Sequence, residues 1–316
     1  MTPLTLVAEP TPLHTAPRLA EAIGLDPSRF RIKRDDLIGV GGGGNKVRKL
    51  QYTVAEALRS GADVLVTTGA PQSNHARLTA AVGARVGLEV VLVLSGPPVE
   101  AVGNVLLEQL FDATLVWSGD REAEERADEM VRSLEAEGRR PHRIPFGGSS
   151  SVSAQGYADA AAELTMQAGD IDHLVVAVGS GGTMAGLVSR LGPERVLGVH
   201  CGAVDDPRAT VASLLAGMPS RTVAPERLRL DLDQVGDGYE HLTPAARDAL
   251  LLFARTDGTV LDPTYTARAA AGLLAAVADG TIGRRDRVVF LHSGGVPSVF
   301  AHPGLAGLAR ETPPQA

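Results

Sequence analysis

Short runs of β-branched and other apolar residues alternate along this chain with alanine-rich segments in which apolar positions recur at helical spacing. This alternation is typical of a parallel sheet covered by helices, because buried strands are short and apolar while helices repeat every three to four residues. Strands are predicted at residues 63–68, 90–94, 114–117, 173–178, 196–200 and 287–292. Helices are predicted at residues 46–59, 74–86, 123–137, 155–167, 183–191, 244–255 and 267–278. We therefore expect an open, doubly wound α/β sheet rather than a closed barrel.

The composition argues against several classes of protein. Of the 316 residues, 44% are hydrophobic and 21% are charged, which is typical of a globular protein with a full core. The formal net charge of −7 argues against a nucleic-acid-binding surface. No apolar run approaches membrane length, and residues 1–10 lack the basic and then apolar pattern of a secretory signal. We expect a cytoplasmic protein that binds neither nucleic acid nor membrane. The proline-rich end, residues 311–316, is predicted to fray.

The chain has a single cysteine, so it has no intramolecular disulfide, as expected in a reducing compartment. Cys201 ends an apolar run and is predicted to be a buried structural thiol rather than a nucleophile. The eight histidines are scattered and show no metal-ligand spacing. No metal is therefore expected.

One lysine, Lys46, directly follows a glycine run at residues 41–44 and Asn45, at the start of a predicted helix. Glycines let backbone and ligand approach closely, and lysine forms Schiff bases with aldehyde cofactors. A lysine in this role would make the protein an enzyme that acts on amino acids. A dinucleotide fingerprint would need a buried strand before the glycines, and none is predicted there. A Walker loop would need Ser or Thr after the lysine, where Val47 stands.

Three polar, glycine-rich loops follow predicted strands, and ligands of open α/β sheets bind at such carboxyl ends. In the first loop, residues 69–75, Ser73 or Asn74 would cap the following helix. The amides at that helix start could also hold a substrate carboxylate, with Ser73 beside it. Both interpretations stay open.

The second loop, residues 179–183, exposes consecutive amides that suit a phosphate, although a simple tight turn is the alternative. The third loop, residues 292–297, carries Ser293. Its hydroxyl could meet a ring nitrogen or form a local cap.

The segment from Asp35 to Leu50, together with residues 72–77, closely resembles the D-cysteine desulfhydrase and 1-aminocyclopropane-1-carboxylate (ACC) deaminase family. These are pyridoxal-phosphate enzymes of the tryptophan-synthase-β fold type. The resemblance continues in order through residues 179–183, 238–239, 261–266 and 292–297. It implies a fold type II enzyme with two open, doubly wound, mostly parallel sheets, helices on both faces and the cofactor in the interdomain cleft. It also implies a large domain of residues 1–47 and 154–316, a small domain of residues 48–153 inserted in it, and a homodimer.

The resemblance further implies a role for each matched residue. Lys46 would carry pyridoxal 5'-phosphate and later move protons. The implied catalytic residues are Lys46, Ser73, Tyr239 and Tyr265. The implied cofactor-binding residues are Lys46, Lys49, Asn74, Ser180, Gly181, Gly182, Thr183, Thr266 and Ser293. The implied substrate-binding residues are Gln72, Ser73, Asn74 and His75. Without the resemblance, the two tyrosines would be interpreted as packing residues.

Thr266 distinguishes between members of the family, because ACC deaminases carry a glutamate at the matching position beside the pyridine nitrogen. A hydroxyl from Thr266 or Ser293 leaves that nitrogen largely neutral, so negative charge at Cα is less well stabilised. This favours β-elimination from a β-substituted amino acid, with D-cysteine giving pyruvate, ammonia and hydrogen sulfide. Departures from the family pattern lie at Leu78, Glu240, Arg268 and residues 149–151, near the expected pocket.

These departures leave the small-molecule substrate open. ACC deaminase, which makes 2-oxobutyrate and ammonia, is one alternative, and a lyase for cysteate or 3-chloroalanine is another. A phosphate- or nucleotide-binding module without catalysis is the alternative from a different class, since it would use the glycine loops but not Lys46.

Overall fold

The computed structural model describes residues 2–219 and 223–306, so the predicted frayed end at residues 311–316 lies outside the described residues. The described chain forms these strands: β1 Leu13–Thr15, β2 Phe30–Arg34, β3 Val64–Gly69, β4 Glu89–Leu94, β5 Thr114–Trp117, β6 Pro141–Arg143, β7 His173–Val178, β8 Val196–His200, β9 Arg229–Asp231 and β10 Val288–His292. It forms these α-helices: α1 Pro17–Ala22, α2 Lys46–Arg59, α3 Asn74–Val86, α4 Gly103–Leu110, α5 Ala123–Ala136, α6 Ser151–Ala168, α7 Gly182–Leu191, α8 Pro207–Ala216, α9 Pro244–Asp257, α10 Thr266–Ala278 and α11 Pro303–Ala306.

The strands form two open sheets. The larger sheet has the order β1-β2-β10-β7-β8-β9, and only its β1–β2 pair is antiparallel. The smaller sheet has the order β5-β4-β3-β6 and is parallel throughout. The predicted α/β class with two mostly parallel sheets is thereby confirmed.

Helices cover both faces of each sheet. Successive strand residues point to opposite sides of a sheet, so neighbouring residues of one strand pack against different helices. In β7, Val175 packs with residues of α9 and α10, whereas Leu174 and Val176 pack with residues of α6 and α7. In β3, Leu65 packs with α2 and α3, while Val66 faces α5. Each sheet therefore separates two apolar cores.

All predicted strands and helices are present, with bounds within two residues except at the start of α6. That helix begins four residues earlier than predicted, at Ser151. Ser150 caps it in a reciprocal capping box with Ser153, in which each side chain accepts from the other residue's backbone N–H.

The sequence pattern does not predict the short elements β1, β2, β6, β9, α1, α4, α8 and α11. The expectation that no strand precedes the glycine run is wrong, because β2 ends just before it and pairs with β1 and β10. Its Lys33 is 1% exposed and contacts the carboxylate of Glu163 on α6. A buried ion pair thus replaces an apolar residue inside this strand.

The smaller sheet lies wholly within residues 64–143, between stretches of chain that form the larger sheet. This arrangement agrees with an inserted domain. The boundaries at residues 48 and 154 remain a prediction, because α2 packs against both α3 and α6.

A buried ionic cluster anchors the start of α2. Arg48 is fully buried, and its Nε lies 2.9 Å from Asp35 Oδ2 while its Nη1 lies 3.0 Å from Glu163 Oε2. Tyr157 donates a hydrogen bond of 2.5 Å to Asp35 Oδ2. Because Arg48 lies two residues after Lys46, the cluster fixes the first turn of α2 against β2 and α6. Within residues 2–219 and 223–306, no helix combines the length and apolarity needed to cross a bilayer.

Candidate active site

A cavity of about 380 Å³ opens between the two sheets. It lies at the carboxyl ends of β3, β7 and β10, where open α/β sheets bind ligands. Many of the lining residues come from the three loops that the sequence singles out and from the start of α2, and others, including the two tyrosines, come from elsewhere in the chain. These lining residues include Asn45, Lys46, Ser73, Asn74, His75, Ser180, Gly181, Gly182, Thr183, Tyr239, Tyr265 and Ser293.

The amine of Lys46 stands at the wall of this cavity. Its Nζ donates a hydrogen bond of 3.2 Å to the carbonyl oxygen of Gly147. Burial lowers the pKa of Lys46 to about 8, and a hydrogen bond with Lys49 acts in the opposite direction. At neutral pH a larger fraction of this amine is therefore uncharged than for an ordinary lysine, and only the uncharged amine is a nucleophile.

Lys49 lies one turn further along α2, below the cavity wall and 1% exposed. Its Nζ donates to Gly147 O at 2.7 Å and to Ser149 Oγ at 2.6 Å. Burial and the neighbouring Lys46 charge hold the pKa of Lys49 well below its ordinary value. Ser149 also contacts Ser180 Oγ, at 2.7 Å.

The glycine loop after β7 forms an open cradle at the start of α7. A Cβ at Gly182 would lie 2.7 Å from Ser149 Oγ and 3.1 Å from Lys49 Nζ, so only glycine leaves space there. Gly181 has φ +80°, a conformation that favours glycine. Thr183 accepts a hydrogen bond of 2.9 Å from Asn45 Nδ2, which ties the loop to the residue before Lys46. Amide groups, hydroxyls and a lysine thus meet where a phosphate could bind.

Ser73 caps α3, since its Oγ accepts a hydrogen bond of 3.1 Å from Ala76 N. Asn74 follows it and accepts at Oδ1 from Asn104 Nδ2, at 3.1 Å. Both residues line the cavity opposite the α7 cradle. Ser73 therefore caps α3 and lines the cavity at the same time, so its capping role does not exclude a contact with a ligand.

Two tyrosines cover the large-sheet side of the cavity. The hydroxyls of Tyr239 and Tyr265 are hydrogen-bonded to each other, and their rings meet edge to face with centroids 5.9 Å apart. Burial raises the pKa of Tyr239 to about 12, and the hydrogen bond with Tyr265 opposes that rise. Burial also raises the pKa of Tyr265 well above its ordinary value. Both hydroxyls therefore stay protonated near neutral pH. One of their two hydrogens is used in the bond between them, and the other is free to donate.

Three predicted site residues do not line the cavity: Lys49, Gln72 and Thr266. The Gln72 amide accepts from Asn104 N at 2.9 Å and donates to Val102 O at 3.1 Å. Thr266 is fully buried, and its Oγ1 donates to Asp262 Oδ1 at 2.6 Å. Ser293 is therefore the member of the Thr266–Ser293 pair that reaches the cavity.

His75 contributes to the wall but is only 2% exposed. Its Nε2 lies 2.8 Å from Thr67 Oγ1. Burial and the charges of Lys46 and Lys49 hold the pKa of His75 well below its ordinary value. The ring is therefore neutral at physiological pH.

Sequence reasoning did not assign roles to several residues that the cavity brings together. Asn45 and Ser149 join the glycine loops, and the only signal for Asn45 is its place beside Lys46. Glu122, Glu124 and Glu240 bring carboxylates to the rim. Within the described part of the chain, no group of three or more His, Cys, Asp or Glu side chains could hold a metal ion.

The residues present fit pyridoxal phosphate. The cavity offers a lysine amine of lowered pKa, an amide cradle at a helix start that any Cβ would fill, and the residues Asn74 and Ser293 on its wall. An aldehyde, a phosphate and a polar aromatic ring match these three features in turn.

The fold and this cavity define a class of two-sheet α/β enzymes that use pyridoxal phosphate. The sequence profile described as pyridoxal-phosphate dependent enzyme matches residues 4–294, and the chain belongs to this family. The predicted family and cofactor are thereby confirmed, and the alternative of a non-catalytic binding module is set aside.

Relatives with more specific names support the same family. A D-cysteine desulfhydrase of Salmonella choleraesuis (strain SC-B67) is 38% identical over 317 residues, which cover 95% of each chain. A D-cysteine desulfhydrase of Salmonella typhi is 37% identical over the same share of each chain.

Solved structures agree with these relatives. The crystal structure of an ACC deaminase homologue is similar with a TM-score of 0.87 and 33% identity, covering 98% of this chain and 96% of that one. Threonine deaminase isoform 2 from Solanum lycopersicum has a TM-score of 0.67 and 20% identity, covering 96% and 84%. The threonine deaminase therefore has the same fold as this chain.

Proposed function

We propose that this enzyme catalyses β-elimination from D-cysteine, with one water consumed and pyruvate, ammonia and hydrogen sulfide released. The observation that carries the proposal is the position of Lys46. Its amine of lowered pKa faces the cavity between the α7 cradle and the start of α3. The Salmonella relatives named D-cysteine desulfhydrase support this choice of substrate.

Pyridoxal phosphate, when bound, supplies an electron sink that stabilises negative charge at the substrate Cα. We assign Lys46 to hold its aldehyde carbon, and residues Ser180–Thr183 with Lys49 to hold its phosphate. Asn74 and Ser293 would meet polar atoms of its ring. Lys49 would approach the phosphate beside Gly182, which has no side chain to block its amine.

The start of α3 would bind the substrate carboxylate. Helix N-termini carry unpaired amides and a partial positive charge, which favour anions. Ser73 adds a hydroxyl at the same place. The carboxylate would then lie on the α3 side of the cavity, with Cα directed towards Lys46.

Proton movement at Cα falls to Lys46, whose pKa of about 8 suits an amine that both accepts and returns a proton near neutral pH. Cleavage breaks the Cα–H and Cβ–S bonds, and the sulfur leaves with the electron pair of the second bond. The Tyr239–Tyr265 pair would donate one hydrogen bond to the departing sulfur, since raised pKa values keep both hydroxyls protonated and their mutual bond uses only one of the two hydrogens.

The charge at the cavity rim supports cysteine over substrates with an acidic side chain. Glu122, Glu124 and Glu240 line the cavity, and Glu124 forms an ion pair with Arg143 Nη2 at 2.6 Å. Such carboxylates disfavour the sulfonate of cysteate, whereas the thiol of cysteine is uncharged below its pKa.

ACC deaminase remains the second candidate, because an ACC deaminase homologue is the solved structure with a TM-score of 0.87. The test is to supply D-cysteine, L-cysteine, cysteate and ACC in parallel and to identify the keto acid. Pyruvate and sulfide from D-cysteine alone would support the proposal. Formation of 2-oxobutyrate from ACC, without pyruvate from D-cysteine, would overturn it in favour of the second candidate.

We also propose that the enzyme is a cytoplasmic homodimer. The family resemblance supports the dimer. The free, fully buried thiol of Cys201 is consistent with a reducing compartment, which supports the cytoplasm. Light scattering of the purified protein and fractionation of cells that express it would test the two statements separately.

A further inference from the structure

Three fully buried polar side chains lie behind Asn74, on the side away from the cavity: Arg77, Asn104 and Glu108. Among the described residues, Arg77 Nε, Asn104 Oδ1 and both carboxylate oxygens of Glu108 have no hydrogen-bond partner. Burying such groups costs free energy, so their presence calls for a purpose other than stability.

The first consequence is the orientation of Asn74. Asn104 Nδ2 donates to the backbone oxygen of Gln72 at 2.7 Å. This hydrogen bond fixes the Asn104 side-chain amide so that its nitrogen, rather than its oxygen, faces Asn74. The atom of Asn74 that faces this nitrogen must therefore be the acceptor, Oδ1, and Arg77 Nη2 approaches it as well, at 3.5 Å. The N–H groups of Asn74 are left for the other side, where Ser293 and Gly294 line the cavity.

The second consequence concerns the segment before Lys46. Arg77 donates to the carbonyl oxygens of Gly41 and Gly43, the latter at 3.1 Å. Gly41 has φ +56° and Gly43 has φ +78°, conformations that glycine adopts readily and other residues rarely adopt. The guanidinium of Arg77 thus contacts both the glycine run at residues 41–44 and the side chain of Asn74.

Glu108 lies on α4 near this arginine, although no hydrogen bond to its carboxyl oxygens is found among the described residues. Asn104 and Glu108 are four residues apart on α4, so both point from the same face towards α3. Burial raises the pKa of Glu108 to about 9, and the charge of Arg77 opposes this rise. Burial lowers the pKa of Arg77, and Glu108 opposes that lowering. Each group thus affects the pKa of the other, and neither lies on the cavity wall.

We propose that Arg77, Asn104 and Glu108 form a positioning network, which keeps the Asn74 N–H groups directed into the cavity and holds the glycine run that leads to Lys46. The proposal rests on the assigned roles of Lys46 and Asn74. It gives α4 a function in the site, although none of its residues lines the cavity. It also gives Gln72 a place in the site, as the residue that fixes Asn104.

The test compares Arg77→Met, Glu108→Leu and the double variant with wild type, using Arg85→Met as the matched control on the exposed end of α3. Three quantities are measured: the dissociation constant for pyridoxal phosphate, amide hydrogen exchange of residues 39–46 with and without the cofactor, and the unfolding temperature. Each single variant is expected to raise the dissociation constant about tenfold and to speed the exchange. Arg85→Met is expected to change neither.

The double variant separates positioning from packing. Replacing buried, incompletely hydrogen-bonded polar groups by apolar residues is often neutral or stabilising, so the unfolding temperature should recover relative to the single variants. The cofactor affinity and the exchange rates should not recover. Recovery of all three quantities, or single variants that match wild type in affinity and exchange, would overturn the proposal.

Asn104→Ala provides a milder variant in case the charged-pair variants fail to fold. It removes the donor to Asn74 and leaves Arg77 on the glycine run. A higher dissociation constant with unchanged exchange at residues 39–46 is expected, and an unchanged dissociation constant would count against the network. A wild-type protein without a pyridoxyl group on Lys46 would instead overturn the proposed function, while the exchange data would still test the network.

Discussion

Lys46 and Lys49 direct their amines to one acceptor, the carbonyl oxygen of Gly147, at 3.2 and 2.7 Å. They lie one turn apart on α2, and two ammonium groups so placed would repel each other. Burial lowers the pKa of both. The charge of Lys46 further lowers the pKa of Lys49, whereas burial is what lowers the pKa of Lys46 and favours a neutral amine where the enzyme needs a nucleophile.

The lowered pKa of Lys46 predicts how cofactor uptake depends on pH. The amine reacts with an aldehyde only when it has lost its proton, so the rate should rise with pH and level off above the pKa. The expected midpoint is about 8, and the ordinary value is 10.5. Stopped-flow mixing of apoprotein with pyridoxal phosphate measures this profile. A midpoint near the ordinary value would show that the amine is not desolvated.

The tyrosine pair predicts a defect confined to catalysis. Tyr239→Phe or Tyr265→Phe removes one hydroxyl of the pair and should lower kcat roughly 100-fold, a usual loss for a group that assists proton transfer. Binding of pyridoxal phosphate should persist. Tyr52→Phe serves as a control, because its hydroxyl contacts Asp159 and lies off the cavity wall. Equal effects of all three substitutions would argue against a role at the reacting atoms.

Ser73 combines a cap and a proposed substrate contact, and two substitutions separate these contributions. Loss of a serine cap costs about 1 kcal/mol with alanine but only a few tenths with glycine. Ser73→Gly should therefore keep the unfolding temperature near that of wild type while raising KM for D-cysteine. Ser73→Ala should lower the unfolding temperature and raise KM as well. A normal KM in Ser73→Gly would remove the serine from the substrate site.

Arg48 is expected to matter for stability rather than chemistry. Arg48→Met leaves Asp35 buried without its cation and removes one of the two cations at Glu163, which keeps Lys33. The expected cost is roughly 3–5 kcal/mol. Urea unfolding of wild type and variant measures this difference, and a loss below about 1 kcal/mol would contradict it.

The same cluster has a defined pH dependence. Burial raises the pKa of Asp35, but the charge and hydrogen bonds of Arg48 outweigh it, so the pKa lies below its ordinary value. A lowered folded-state pKa stabilises the protein above the unfolded-state pKa and ceases to do so as pH falls through the folded-state pKa. In Asp35→Asn this acid-sensitive part should disappear.

The sequence pattern predicts the long elements well, because their faces are apolar in the expected rhythm. It does not predict β2, whose Lys33 is buried in contact with Glu163, 130 positions away. It also does not predict α4, because Asn104 and Glu108 face the interior while Leu110 is 69% exposed. In both elements a distant partner reverses the usual distribution of polar and apolar residues.

The candidate site follows the same rule. Lys46, Ser73, Asn74 and the glycine loops stand out because each is a local motif, and the structure brings them around one cavity. The contribution of Arg77 has no local signal, since its partners on the glycine run and on α4 meet it only in the folded chain. Gln72 carries a local signal, yet its side chain contacts α4 instead of the cavity.

The most direct test of the central claim is mass spectrometry of the protein after borohydride reduction, with peptide mapping of the modified site. The proposal predicts one added pyridoxyl group, located on Lys46, and none in Lys46→Ala. A reduced wild-type protein with no such group, or with the group on a different lysine, would contradict the assignment of Lys46 and the elimination mechanism built on it.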